Sequence, residues 1–297
     1  MIYTMRRFSL LFLRFFVLAA AVSVCSCAAK VLPPDPPPEE SPVLSMAFEK
    51  IEARSPVLLD LYYSLEIENP RPSGAVFTLD RAAFTVNGTA FTLPEEALDI
   101  REQYRIEGHG RVSVPVRVAL NLGDFSDPAD PDFDDYRTGF SADVLFRFDG
   151  GSAVAAAVSA DAEFPRIREP NFQITSIAIK KAELVNTRFI VRLRIENPNP
   201  FPVDLSSFSY ELHGAGRFWA EGNETDVLRI DARGYAETDL FLIMNFINMR
   251  RELLNQVIAM KQVAYRFSGE AQISTGVAYL PGFTMGFDRS GSSPVIE

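Results

Sequence analysis

The chain has 297 residues, 47% of them hydrophobic and 23% charged, with a formal net charge of −10. That length suits about two globular domains. The acidic balance, with no basic patch, argues against nucleic acid, since phosphate binding needs clustered Lys and Arg, and against electrostatic adhesion to anionic lipid head groups.

The N-terminal segment reads as an address. Arg6, Arg7 and Arg14 form a positive n-region, and Phe15 to Val24 is an apolar run too short to span a bilayer comfortably. Both cysteines, Cys25 and Cys27, close that run. The folded part is therefore expected to hold no disulfide, cysteine zinc site or thiol nucleophile. The stretch Val24-Cys25-Ser26-Cys27 resembles a bacterial lipobox. Small Ser26 fits the residue before the cleaved bond and Val24 the upstream apolar position, whereas Cys25 would follow the bulky Val24. The resemblance implies a signal peptide over 1–26 and an acylated Cys27 that ties the mature protein to a membrane. Several acyl chains anchor stably where one is marginal. Plain secretion and an uncleaved anchor are the competing readings. Removal of Arg6, Arg7 and Arg14 would take the net charge from −10 to −13. Ala28 is not the Asp associated with inner-membrane retention in enteric bacteria, which favours the outer membrane, facing the periplasm. The Pro-rich remainder of 27–42 reads as an extended stalk, about 30–40 Å long at the polyproline rise.

Beyond the stalk the chain repeats itself. Leu61, Tyr63, Leu65 and Ile67 alternate with polar or exposed positions, and so do Phe189, Val191, Leu193 and Ile195. Period two with one apolar face predicts half-buried strands. Each strand ends at an Asn-Pro: Asn69-Pro70 with Pro72, and Asn197-Pro198-Asn199-Pro200. Proline cannot donate to a ladder and Asn tolerates turn geometry, so the motif terminates the strand and redirects the chain. The offset between the two is 128. "FTVNG" from Phe84 pairs with "YELHG" from Tyr210 at 126, and "FSADV" from Phe140 with "FSGEA" from Phe267 at 127. Ordered matches at a near-constant offset predict a duplicated domain. Further alternation marks Val112–Val118 and Ala142–Phe148 as strands, and Asn87-Gly88 and His213-Gly214 as hairpin turns. The expectation is a mainly β chain of two tandem antiparallel β-sandwiches, 43–166 and 167–290, with a tail at 291–297. The short joint around Pro165 and Pro170 predicts a restricted relative orientation.

The stretch "IENPNPFPVDLSSFSYELHG" resembles the late-embryogenesis-abundant type 2 domain, also called the water-stress and hypersensitive-response domain. "LEIENPRPSGAVFTLDRAAFTVNG" is a second copy with Arg71 where the motif prefers Asn. The resemblance implies a small fibronectin-like sandwich with a helix, and an association with desiccation or other stress. It implies no reaction and no cofactor.

The copies differ in one segment. In the second, Ile247, Leu254 and Ile258, flanked by Phe246, Met249, Leu253 and Val257, predict an amphipathic helix packed on a sheet. In the first, Pro128 and Pro131 interrupt any helix, and Asp124, Asp127, Asp130, Asp132, Asp134 and Asp135 crowd the loop. Such a loop is a weak calcium candidate without EF-hand spacing, and a solvated acidic loop is the plainer expectation.

No catalytic constellation is visible. His109 and His213 are the two histidines, both in turn-like settings and neither at metal spacing. The lone Trp219 is expected to pack on the sandwich as a strand residue. The reading is a non-enzymatic, membrane-anchored envelope lipoprotein that binds or protects. The alternatives are a carrier or sensor of an apolar ligand such as a lipid, suggested by 24 Phe, and an assembly scaffold recruiting a protein partner through exposed sheet edges.

Overall fold

The computed structural model describes residues 40–94, 97–99, 103–123, 125–127, 130–181, 187–244, 259 and 262–296. The leader, Cys27 and the stalk up to residue 39 lie outside these, as do Asp124 and the residues named for the amphipathic helix. Among the described residues every regular element is a strand.

Alternation in the sequence becomes alternation in burial. The first half holds β1 (Val43–Ala53), β2 (Leu58–Glu68), β3 (Ala75–Val86), β4 (Thr89–Phe91), β5 (Leu98–Asp99), β6 (Tyr104–Ile106), β7 (Arg111–Asn121), β8 (Asp135–Phe148) and β9 (Ala153–Pro165). Along β2, Leu59, Leu61, Tyr63, Leu65 and Ile67 are buried while their neighbours from Tyr62 to Glu66 reach solvent. Sheet β1-β2-β7-β5 and sheet β4-β3-β8-β9, with β6 beside β3, enclose one core.

The second half holds β10 (Asn171–Lys181), β11 (Thr187–Glu196), β12 (Val203–Gly214), β13 (Arg217–Glu224), β14 (Leu228–Ile230), β15 (Tyr235–Met244), β16 (Gln262–Val277) and β17 (Leu280–Ile296). Its strand order repeats the first: β10-β11-β15 answers β1-β2-β7, and β13-β12-β16-β17, with β14 beside β12, answers β4-β3-β8-β9 with β6. A second core fills it. β17 serves both layers, pairing antiparallel with β16 and then, at Val295 and Ile296, parallel with Ile177 and Ala178 of β10. It thus runs through the residues read from sequence as a tail. β5, which pairs with the outer edge of β7, has no counterpart on β15 among the described residues.

Most of the described phenylalanines lie in or against the cores. Phe172 stacks on Phe287 at 4.4 Å between ring centroids, and Phe267 meets Phe287 at 5.1 Å. In the first core Tyr63 lies against Phe140 and Phe48. Burial pushes the Tyr63 phenol up to about 12.

The two hairpin expectations fare differently. Asn87 and Gly88 form the turn between β3 and β4, both at positive φ as a two-residue primed turn requires. In the second half the turn is Ala215-Gly216, two residues later than expected. Gly214 lies inside β12, opposite Arg217, and its missing side chain makes room for Trp219: a Cβ there would stand 2.1 Å from the indole. The register of the repeat at this hairpin is therefore 128, not 126. Trp219 is buried in β13 against Phe189, centroids 5.7 Å apart, as the packing role requires.

Because Trp219 is the lone Trp, its emission reports this contact. Gly214→Ala is expected to expel the indole, shift emission to the red and cost about 1–3 kcal/mol, measured by intrinsic fluorescence during urea unfolding. An unshifted spectrum would show that the contact is not needed.

Candidate functional site

The two Asn-Pro motifs sit at equivalent corners. Asn197 is 2% exposed, which makes its amide an accounting problem. The solution is complete. Nδ2 donates to the carbonyls of Phe201 (2.8 Å), Asp231 (3.0 Å) and Ile230 (3.3 Å), and Oδ1 accepts from Asn199 N (3.0 Å) and Asn199 Nδ2 (2.9 Å). Its backbone N–H donates to Gly234 O at 2.9 Å. In the first half, Asn69 Nδ2 donates to Ser73 O (2.8 Å) and Glu107 O (3.1 Å), Oδ1 accepts from Arg71 N (3.1 Å), and the backbone N–H donates to Gly110 O (2.9 Å). Each amide cross-links the strand exit to a tight turn. Those turns match as well: His109 and Arg233 both have φ 54, and they donate backbone N–H groups to Arg71 O and Asn199 O. Pro70, Pro72, Pro198 and Pro200 leave no N–H stranded at the bend. Close approach fixes Gly108, where a Cβ would lie 1.9 Å from Pro72 O.

The residue two beyond each Asn holds the incoming chain. Asn199 accepts from Arg168 N at 2.7 Å and donates to Arg168 O at 2.8 Å, gripping both backbone groups of one residue. Arg71, 128 residues earlier, performs the equivalent task with other chemistry. Its Nε donates to Glu40 O at 2.6 Å, an Nη to Ser152 Oγ at 3.2 Å, and its guanidinium lies 4.0 Å from the Phe148 ring centroid. The departure from the motif is thus built into the fold, where the described chain begins.

The acidic loop is divided between its own turns and the joint. Asp127 Oδ1 accepts from Asp130 N at 3.4 Å, and Asp130 Oδ1 from Asp132 N at 3.2 Å. Asp134 turns to the second half, accepting from Arg168 at 3.1 Å and from Arg233. Arg168 also donates to the carbonyls of Asp132 (2.6 Å), Phe133 and Pro198 (3.2 Å). Arg166 reaches Pro131 O at 3.0 Å while lying over the Phe133 ring. Tyr279 completes the joint: its hydroxyl donates to Pro165 O at 2.5 Å, its ring meets Phe164 edge-on, and it packs against both cores. Asp135 lies exposed at the start of β8. Among the described residues no group of three or more His, Cys, Asp or Glu is placed to hold a metal.

Burial pushes the Asp134 carboxyl up, but the hydrogen bonds from Arg168 and Arg233 outweigh it and hold its pKa below the ordinary value. His109 forms its turn as expected; His213 instead lies in β12, with Nε2 3.6 Å from Glu211 and its ring edge-on to Phe218. An open groove of about 700 Å³ crosses the second half over Tyr210, Gly222 and Gly269, rimmed by Glu211, Glu221 and Glu270. Sequence reasoning missed Arg166, Arg168, Arg233 and Tyr279 as joint residues, and Arg71 as the residue that holds the chain at Glu40. One signal was available for Arg71, its replacement of the motif Asn.

Comparisons with known proteins bear on the second half. Residues 192–282 match the family model for late embryogenesis abundant protein, which supports an LEA type 2 domain there. No curated protein matches the chain. Among solved structures, a protein from Archaeoglobus fulgidus is similar over 43% of this chain and 96% of its own, at 12% identity and a TM-score of 0.26. A protein from Arabidopsis thaliana, solved in solution, is similar over 45% of this chain and 86% of its own, at 16% identity and a TM-score of 0.33.

Removing the Asn197 amide strands buried carbonyls and the donors of Asn199. Asn197→Ala is expected to cost about 2–4 kcal/mol, read as a lower midpoint in urea. Asp134→Asn is expected to cost about 1 kcal/mol at neutral pH, discounted because the carboxylate is 39% exposed. A lowered folded pKa stabilises above the unfolded value near 3.9 and is lost as pH falls through the folded one. Wild type and Asp134→Asn should therefore differ at pH 7 and converge in acid; a gap that persists at pH 2 would exclude the ion pair as its cause.

Proposed function

We propose that this chain is a non-enzymatic envelope lipoprotein that binds or protects. In this reading two LEA type 2 domains, 43–166 and 167–290, stand on a Pro-rich stalk behind an acylated Cys27, with a role in desiccation or related stress. The observation that carries it is the family match over residues 192–282, taken with the Asn-Pro corner and strand order that recur in the first half. The lipobox-like Val24-Cys25-Ser26-Cys27 supports the anchor, and the outer membrane facing the periplasm is the place it favours. The polar groups at both corners are engaged in holding backbone, which supports a scaffold rather than a reaction centre. A carrier of an apolar ligand is the weaker reading, because most of the described phenylalanines are buried in the two cores.

Two measurements test the proposal. In a bacterial host the chain should fractionate with membranes, and Cys27→Ser should release it into the soluble fraction. The purified chain, dried together with a desiccation-sensitive enzyme, should preserve more activity on rehydration than an equal mass of serum albumin. Membrane retention of Cys27→Ser would sink the anchor; protection no better than albumin would sink the protective role.

A further inference from the structure

The two halves differ at one sheet edge. In the first, β5 pairs with the outer edge of β7 through Leu98–Val118 and Asp99–Arg117. In the second, β15 takes the place of β7, and no strand pairs with its outer edge among the described residues. Proteins usually blunt such an edge with lysine, proline or a bulge. From Tyr235 to Met244, β15 has none of these, and its ladder to β11 runs without a register shift. Its outward face instead presents Phe241 at 75% exposure and Ile243 at 67%.

That face is patterned. Glu237 and Asp239 lie opposite Arg194 and Arg192 of β11, bonded at 2.8 and 3.0 Å, and Phe241 lies opposite Ile190. The rows across the sheet therefore read cation–acid, cation–acid, apolar–apolar and, at Ile243 opposite Arg188, cation–apolar. A strand added beyond β15 meets the acids from their open side. Cations at two alternate positions would extend each charged row to cation–acid–cation, and apolar residues at the next two would cover Phe241 and Ile243. A second copy of β15 fits poorly, because the strand holds no Lys or Arg and in no self-pairing register does the added strand bring a cation to Glu237 or Asp239.

We propose that the outer edge of β15 is a strand-addition site for an extended segment of a partner protein. Paired antiparallel, the commoner arrangement, that segment reads apolar-x-apolar-x-cation-x-cation from its N-terminus, the apolar pair covering Ile243 and Phe241 and the cations facing Asp239 and Glu237. Backbone pairing supplies affinity and the alternate side chains supply selectivity. The proposal rests on the reading of the chain as a binding module, but not on desiccation protection or lipidation, so failure of either leaves it standing.

The test is fluorescence anisotropy with the full chain and a labelled, end-blocked peptide alternating Thr with Val, Val, Lys and Lys in that order. Saturable binding is expected. It should weaken at least about tenfold for the double variant Phe241→Lys, Ile243→Lys, both positions being exposed enough to leave the fold intact. It should weaken similarly for wild-type protein when Glu replaces both Lys of the peptide, a comparison that does not depend on how the variant folds. Equal binding in either comparison, or no saturation at millimolar peptide, overturns the proposal. So does a result in which the double variant abolishes binding to phosphatidylglycerol vesicles or dissociates a homodimer while peptide binding is unchanged, since the edge would then serve a lipid surface or a second copy.

Discussion

Two buried side-chain amides determine where this chain changes direction. A strand that ends inside a sandwich exposes backbone carbonyls with no ladder left to satisfy them, and an unmet buried carbonyl costs more than a typical hydrogen bond gains. Asn197 and Asn69 meet that demand from a single point, donating to the bend that follows and to a turn more than thirty residues away. The flanking prolines contribute by having nothing to donate. Layer order, the position of the neighbouring turn and the docking of the incoming chain are all referred to this corner. The polar groups there serve architecture.

Much of this was legible in the sequence because it is periodic or because it is forced. Alternating apolar residues announced β2, β7, β8 and β11, and Asn-Pro announced the corners. The His213-Gly214 turn was misplaced because glycine has two uses. It permits positive φ, and it also permits close approach; at Gly214 the second applies, and only the position of the Trp219 ring reveals it. The joint was illegible for a different reason. Arg166, Arg168 and Arg233 bond mainly to carbonyls, and a carbonyl leaves no mark in a sequence. The acidic loop looked like a solvated cluster, whereas Asp134 within it is the counter-charge of the joint.

The halves share a plan and have diverged in how they finish it. Where one grips the entering chain with an asparagine, the other uses an arginine stacked on Phe148. Where one edge is capped by β5, the other is left apolar and open among the described residues. The aromatic contacts running from Phe125 through Tyr136 and Phe164 to Tyr279 keep the two cores in register while their outer faces differ.

The shared strand β17 also sets an order of events. The first sandwich has all its strands once the chain has emerged as far as Pro165. The second waits longer: the parallel pairing that joins its layers uses Val295 and Ile296, more than a hundred residues after β10. The contacts across the joint wait as well, with Asp134 and Arg233 separated by 99 residues and Pro165 and Tyr279 by 114. As the chain emerges N-terminus first, the first half is thus tethered to a partner that lacks its last strand until β17 arrives. Vectorial production makes the N-terminal sandwich the template, and the C-terminal one the piece that must be guarded until it is complete.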